Sequence, residues 1–177
     1  MIVVRLGAWA ALALVLYGQP KPKDVDGWDR IKWGTTIADA RSAYGIDTQP
    51  ESKDNWTLLQ LNPVKIGNVE MGVQVGARLV EKVPSSEKIT SVRLWSFFGL
   101  PSSVPLAGPQ DFDTLRTVLI QKYGHPANEE VTRGENNHLI KTVRWTFPST
   151  SIVMTLEQSA LLPNVGTIYL EYTANPS

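Results

Sequence analysis

Between Val69 and Leu79 the chain alternates without a break: Val69, Met71, Val73, Val75, Ala77 and Leu79 are apolar, and Glu70, Gly72, Gln74, Gly76 and Arg78 stand between them. Successive side chains of a strand point to opposite faces, so this segment belongs in a sheet with one packed face and one wet face. A sheet of that kind is usually antiparallel, and its packed face needs a cover from elsewhere in the chain.

Two segments supply the cover. Asp111 to Gly124 carries Phe112, Leu115, Leu119 and Tyr123 at helical spacing, with Asp111 and Asp113 at the positive end of the helix dipole and Gly124 as a stop before Pro126. Thr35 to Gly45 has a threonine to cap its start, an acid in its early turns and a terminal glycine, which predicts a shorter helix. Further strands are expected at Trp56 to Leu61, Ile89 to Phe97, Thr142 to Phe147, Ser151 to Gln158 and Gly166 to Thr173, with Pro148-Ser149-Thr150 closing a hairpin. The order helix, strands, helix, strands with short connections predicts an α+β fold, an antiparallel β-sheet packed against two short helices.

That order contains an echo. Tyr44-Gly45, Pro50 and Trp56-Thr57 recur as Tyr123-Gly124, Pro126 and Trp145-Thr146, the glycines 79 residues apart and the tryptophans 89 apart. Duplication of a helix-plus-strands unit and chance both account for so short a match. Under duplication the polar stretch Asn128 to His138, which has no apolar period, reads as a loop insertion in the second copy.

The first 18 residues read as an address: a short n-region from Met1 to Arg5, then an apolar run from Leu6 to Tyr17. That run is shorter than the ~20 residues that span a bilayer and suits a signal peptide or an N-terminal anchor. Leu16-Tyr17-Gly18 offers one small residue where cleavage favours two, and Gln19 stands where a lipoprotein precursor has its cysteine, which argues against a lipid anchor. Residues 19–27, with Pro20 and Pro22 between lysines, read as a solvated linker, and 28–177 as a single domain. The expected location is the periplasm or the secreted medium, with membrane contact only through an uncleaved N-terminus.

Composition removes several functions. The chain has no cysteine, which excludes a disulfide framework, a thiol nucleophile, a thiolate zinc site and an iron-sulfur cluster. Seventeen basic residues balance seventeen acidic ones with no basic stripe, so no nucleic-acid partner is expected. His125 reads as a residue at a helix end and His138 as a solvated loop residue, and no carboxylate stands at a metal-ligand spacing from either. Gly-x-Ser-x-Gly is absent, and Gly67, Gly72 and Gly76 have strand rather than phosphate-loop spacing, so they mark a bulge, a twist or a close approach. No catalytic, cofactor-binding or metal-binding residue is assigned, and no cofactor.

Aromatic residues carry what functional signal remains. Trp33, Trp56 and Trp145 are expected to fill the core. Trp28, next to the linker, and the apolar residues Phe97, Phe98, Leu100, Val104 and Leu106, set among turn formers, are the candidate partner surface.

Ile31-Lys32-Trp33-Gly34, Lys122-Tyr123-Gly124-His125-Pro126, Trp145 and the closing Ile168-Tyr169-Leu170-Glu171-Tyr172 resemble elements of a group of small exported proteins of Gram-negative bacteria, over about a third of the positions after Gly27. The helix-then-strands arrangement also looks like outer-membrane assembly lipoproteins of the SmpA/OmlA type and β-lactamase-inhibitor proteins, which work by binding other proteins. The resemblance implies a non-enzymatic, protein-binding role in the cell envelope. The alternatives from the residues themselves are a small-ligand or lipid carrier, with tryptophans lining an apolar cavity, and, third, a hydrolase of unrecognised type.

Overall fold

Each helix begins and ends as its local chemistry dictates. In the computed structural model, which describes residues 22–78, 88–96, 107–134, 137–162 and 164–176, a two-stranded ribbon of β1 (Gly27–Trp28) and β2 (Ile31–Lys32) leads into α1 (Ile37–Ala43). Thr36 is extended, and its hydroxyl oxygen accepts the Asp39 N–H at 3.1 Å, satisfying a donor the helix leaves orphaned. Tyr44 closes α1, and Gly45 turns the chain away with φ of +61°.

Four strands follow: β3 (Glu51–Lys53), β4 (Trp56–Ile66), β5 (Val69–Arg78) and β6 (Ile89–Ser96). Then α2 (Pro109–Tyr123) begins with proline in its first turn and with the Asp111 carboxylate accepting the Gly108 N–H at 3.0 Å. Gly124 ends it at φ +93°, a conformation that a residue with a Cβ reaches only at a cost. Four more strands complete the chain: β7 (Asn128–Arg133), β8 (Leu139–Thr146), β9 (Thr150–Gln158) and β10 (Gly166–Ala174).

The eight strands β3 to β10 form one antiparallel sheet in the order β3-β4-β5-β6-β10-β9-β8-β7. Each half is a helix followed by a four-strand meander, and the last strands of the two meanders, β6 and β10, pair at the centre. The element order of the first half therefore repeats in the second, as the sequence echo suggested.

Both helices lie on one face of the sheet. Alternation puts Leu59, Val73, Val92, Leu170, Met154 and Val143 on that face, where all are buried with Ile37, Ala40, Phe112, Leu115 and Leu119 in a single cluster. Burying an aliphatic side chain of this size contributes about 1.5–3 kcal/mol, so these positions supply most of the force that holds helices to sheet. The stripe expected on α2 is buried at all four residues, Phe112, Leu115, Leu119 and Tyr123.

The fold departs from the sequence reading in three places. Asn128–Arg133 is not a loop but the edge strand β7, exposed at all six positions; with water on both faces it has no apolar period to betray it. Trp56 does not join the core but lies half-buried on the opposite face, because its neighbours Thr57, Leu59 and Leu61 claim the inner positions. Residues expected as solvated linker are tied down from Asp24 onward: the Asp24 carboxylate accepts the Ser149 N–H and hydroxyl at 2.9 and 2.6 Å, and the Thr150 hydroxyl donates to the Val25 carbonyl. The signal segment, residues 1–18, lies outside the described residues. Among the described residues no helix is long and apolar enough to cross a membrane.

Candidate functional site

The face of the sheet opposite the helices has no cover among the described residues, and its side chains are not those of an ordinary wet face. Three aromatics stand on it half-buried: Trp56 on β4, Trp95 on β6 and Tyr169 on β10. Trp95 pairs with Tyr169 across the central β6–β10 seam and with Gly72 on its other side. Such cross-strand aromatic pairs stabilise a sheet by about 0.2–1 kcal/mol each.

Glycine shapes the surface beside them. A Cβ built on Gly76 would lie 2.7 Å from the Ser91 hydroxyl and 3.1 Å from the Trp56 ring, so the indole can rest on the β5 backbone only because residue 76 has no side chain. Gly72, four residues earlier on the same face, is likewise buried. The alternation that defines β5 thus places glycine where the open face would otherwise carry bulk.

The result is a groove of about 430 Å³ running across β3, β4, β5 and β6. Trp56 and Leu58 form its apolar wall, Gln74, Gly76 and Ser91 its floor, and Glu51, Lys53, Asp54, Arg93 and Glu171 its rim. Arg93 and Glu171, opposite one another on β6 and β10, make a 3.0 Å ion pair with side chains 56% and 38% exposed, a contact worth less than ~1 kcal/mol that orients the guanidinium rather than stabilising the fold. A second groove of about 470 Å³ continues from this one past β3, sharing Glu51, Leu58 and Gln74 and ending at the loop after α1. Apolar wall, hydrogen-bonding floor and a rim of both charge signs suit an interface with another protein, not a polyanion.

Of the candidate partner surface only Trp28 is among the described residues, and it does not line this groove. Trp28, held as a candidate for display, is 9% exposed: β1 and β2 fold it into the core with Ile31, and little of its ring is left for a partner. Phe97, Phe98, Leu100, Val104 and Leu106 lie outside the described residues. Trp145 is a core residue, 2% exposed, and Trp33 is half-buried with its indole N–H donating to the Thr150 hydroxyl at 2.6 Å. Trp56 and Trp95 were legible as aromatics, but their side of the sheet was not. The one available signal was glycine on the polar face of β5, which leaves space that a large neighbour fills.

Neither histidine lines this groove. His125 follows the end of α2 and is exposed. His138 borders a separate groove of about 280 Å³ with Glu157, Ser159 and Leu162 at the far end of β9, but Glu157 is exposed and the Ser159 hydroxyl oxygen accepts the Leu161 N–H at 3.2 Å. Among the described residues no hydrogen bond joins His138, Glu157 and Ser159, and no three of His, Asp and Glu are grouped to hold a metal ion. The fold shifts acidity mainly at structural contacts. Burial followed by the Asp29 hydrogen bond pushes the Tyr44 hydroxyl up to about 12, and burial raises Tyr172, whose hydroxyl meets that of Tyr123 at 3.4 Å.

Comparison of the chain with protein-family models, with curated proteins and with solved structures finds no match in any of the three.

Proposed function

We propose that this chain is a non-enzymatic, protein-binding domain of the bacterial envelope, and that it receives a loop of its partner on the helix-free face of the sheet. The observation that carries the reading is Trp56 resting on Gly76 between groups of both charge signs. Half-buried tryptophan flanked by an exposed arginine is the composition of a binding hot spot, and a mixed rim favours a partner loop with an apolar tip between polar residues of either sign. Export rests on the pattern of residues 1–18, a charged start followed by twelve apolar residues.

Site-specific photo-crosslinking in envelope preparations tests the assignment. A crosslinking side chain at Leu58 or Ser91, on the groove, is expected to capture the same partner, while one at Thr117, exposed on α2, captures none. Gly76→Val should abolish capture from both groove positions, because the new side chain displaces the Trp56 ring. Equal capture from the helix face, or capture indifferent to Gly76→Val in a folded protein, would overturn the proposal.

A further inference from the structure

The groove does not use the outer edge of the sheet, and that edge carries an order of its own. Among the described residues β7 is the last strand, paired with β8 on one side only, and all six of its residues are exposed, Val131 at 64%. Gly134 donates its N–H to the His138 carbonyl at 2.9 Å. Residue 134 therefore turns its backbone toward β8, and strand alternation gives Asn128, Glu130 and Thr132 the same direction. The N–H and C=O groups of Glu129, Val131 and Arg133 then point off the edge.

Their side chains share the helix side of the sheet. Glu129 sits opposite the core residue Val143 and receives the Arg116 guanidinium of α2 at 2.5 and 3.1 Å. Arg133 makes no ion pair among the described residues. The outward set thus reads acid, β-branched apolar, base, and this order is its own complement when reversed.

We propose that two copies of this chain associate antiparallel through β7, with Val131 opposite Val131 of the second copy and Glu129 opposite Arg133 of the second copy. In this register the three outward residues each exchange both backbone hydrogen bonds with the residue across from them, Val131 meets a β-branched partner, and each Arg133 gains a carboxylate. Sliding the strands by four residues in either direction puts Glu129 against Glu129 or Arg133 against Arg133, which like-charge repulsion disfavours. Charges on an edge strand ordinarily prevent pairing; here they reject the slides of four, while a slide of two sets Val131 against a charged residue and forgoes both Glu129–Arg133 pairs. The two sheets join into one, with the helices of both copies on the same side.

A single strand pair buries little surface, so the dimer is a weak one, with Kd of about 10 µM or higher. Sedimentation equilibrium of the full chain across a concentration series reads it directly. Arg133→Glu, which sets acid against acid, is expected to weaken association at least ~10-fold, and the exchange Glu129→Arg with Arg133→Glu to restore it. Val131→Pro should weaken it as strongly, since it removes only an outward N–H and leaves the β7–β8 ladder intact. Should the proline variant fail to fold, concentration-dependent protection of the Glu129, Val131 and Arg133 amides from hydrogen exchange in the unaltered chain supplies the same answer. A chain that stays monomeric up to its solubility limit, a dimer that ignores Arg133→Glu, or an edge that takes an extended peptide in preference to a second copy would each overturn the proposal. Gly76→Val, which acts on the groove, leaves the dimer unchanged.

Discussion

The indole N–H of Trp145 donates to the carbonyl oxygen of Gly124 at 2.8 Å, both groups out of reach of solvent. This one bond ties the end of α2 to the middle of the second meander and satisfies a carbonyl that the helix cannot. Trp145→Phe keeps most of the ring but leaves that carbonyl buried and unpaired. A loss of about 1–3 kcal/mol in urea-unfolding free energy is expected, with the slope of the transition unchanged.

Asp24 contributes to the pH dependence on the acid side. Its carboxylate accepts two hydrogen bonds from Ser149, first the hydroxyl and then the backbone N–H, and these hold its pKa below the ordinary carboxylate range. The charged form is the one the fold favours, so this contribution is complete above the unfolded value of about 3.9 and fades as pH falls through the lower folded value. Asp24→Asn should therefore lower Tm near neutral pH, and the difference from the unaltered chain should vanish toward about pH 2. A Tm difference constant across that range would show that Asp24 does not titrate as described.

Tyr44 acts at the opposite end of the scale. Burial, then donation to Asp29 at 2.6 Å, raises its hydroxyl to about 12. The protonated form is favoured, so the contribution is complete below the unfolded value of about 10 and is lost as pH climbs from there toward the folded value. Absorbance titration of tyrosinate should show late ionisation from Tyr44 and Tyr172 together, and Tyr44→Phe should reduce its amplitude by one tyrosine. That variant should also lose the contact that fixes the β1–β2 turn to the end of α1, through the Asp29 carboxylate and the Arg30 N–H.

Thr57 carries a surplus hydroxyl. It faces the core from β4 at 4% exposure, and its Oγ1 has no hydrogen-bond partner among the described residues. Thr57→Val, equal in shape, removes a buried polar atom and should raise stability by about 1 kcal/mol in the same urea assay. A loss of stability would mean that the hydroxyl is satisfied in solution.

Local pattern was enough for what depends on one segment at a time. The alternation of Val69–Arg78 defined β5 because one face of it is packed, and the stripe of Phe112, Leu115, Leu119 and Tyr123 defined α2 for the same reason. Helix ends were legible at Thr36 and Gly124, where a hydroxyl or a positive φ meets a need of the backbone itself. The pairing of β6 with β10, which makes one sheet of two meanders, is contact between residues more than seventy positions apart and leaves no local trace. So is the fate of the echoed Trp-Thr dipeptides: Trp145 enters the core and Trp56 the open face, because the inner positions of β4 are taken by Leu59 and Leu61. β7 was hidden for a further reason, since its order comes from backbone bonds to β8 and its side chains are wet on both sides. Sequence by itself determined which segments have a face to bury. Only the tertiary structure decided which tryptophans are left on the outside, because that depends on which face of the assembled sheet the helices cover.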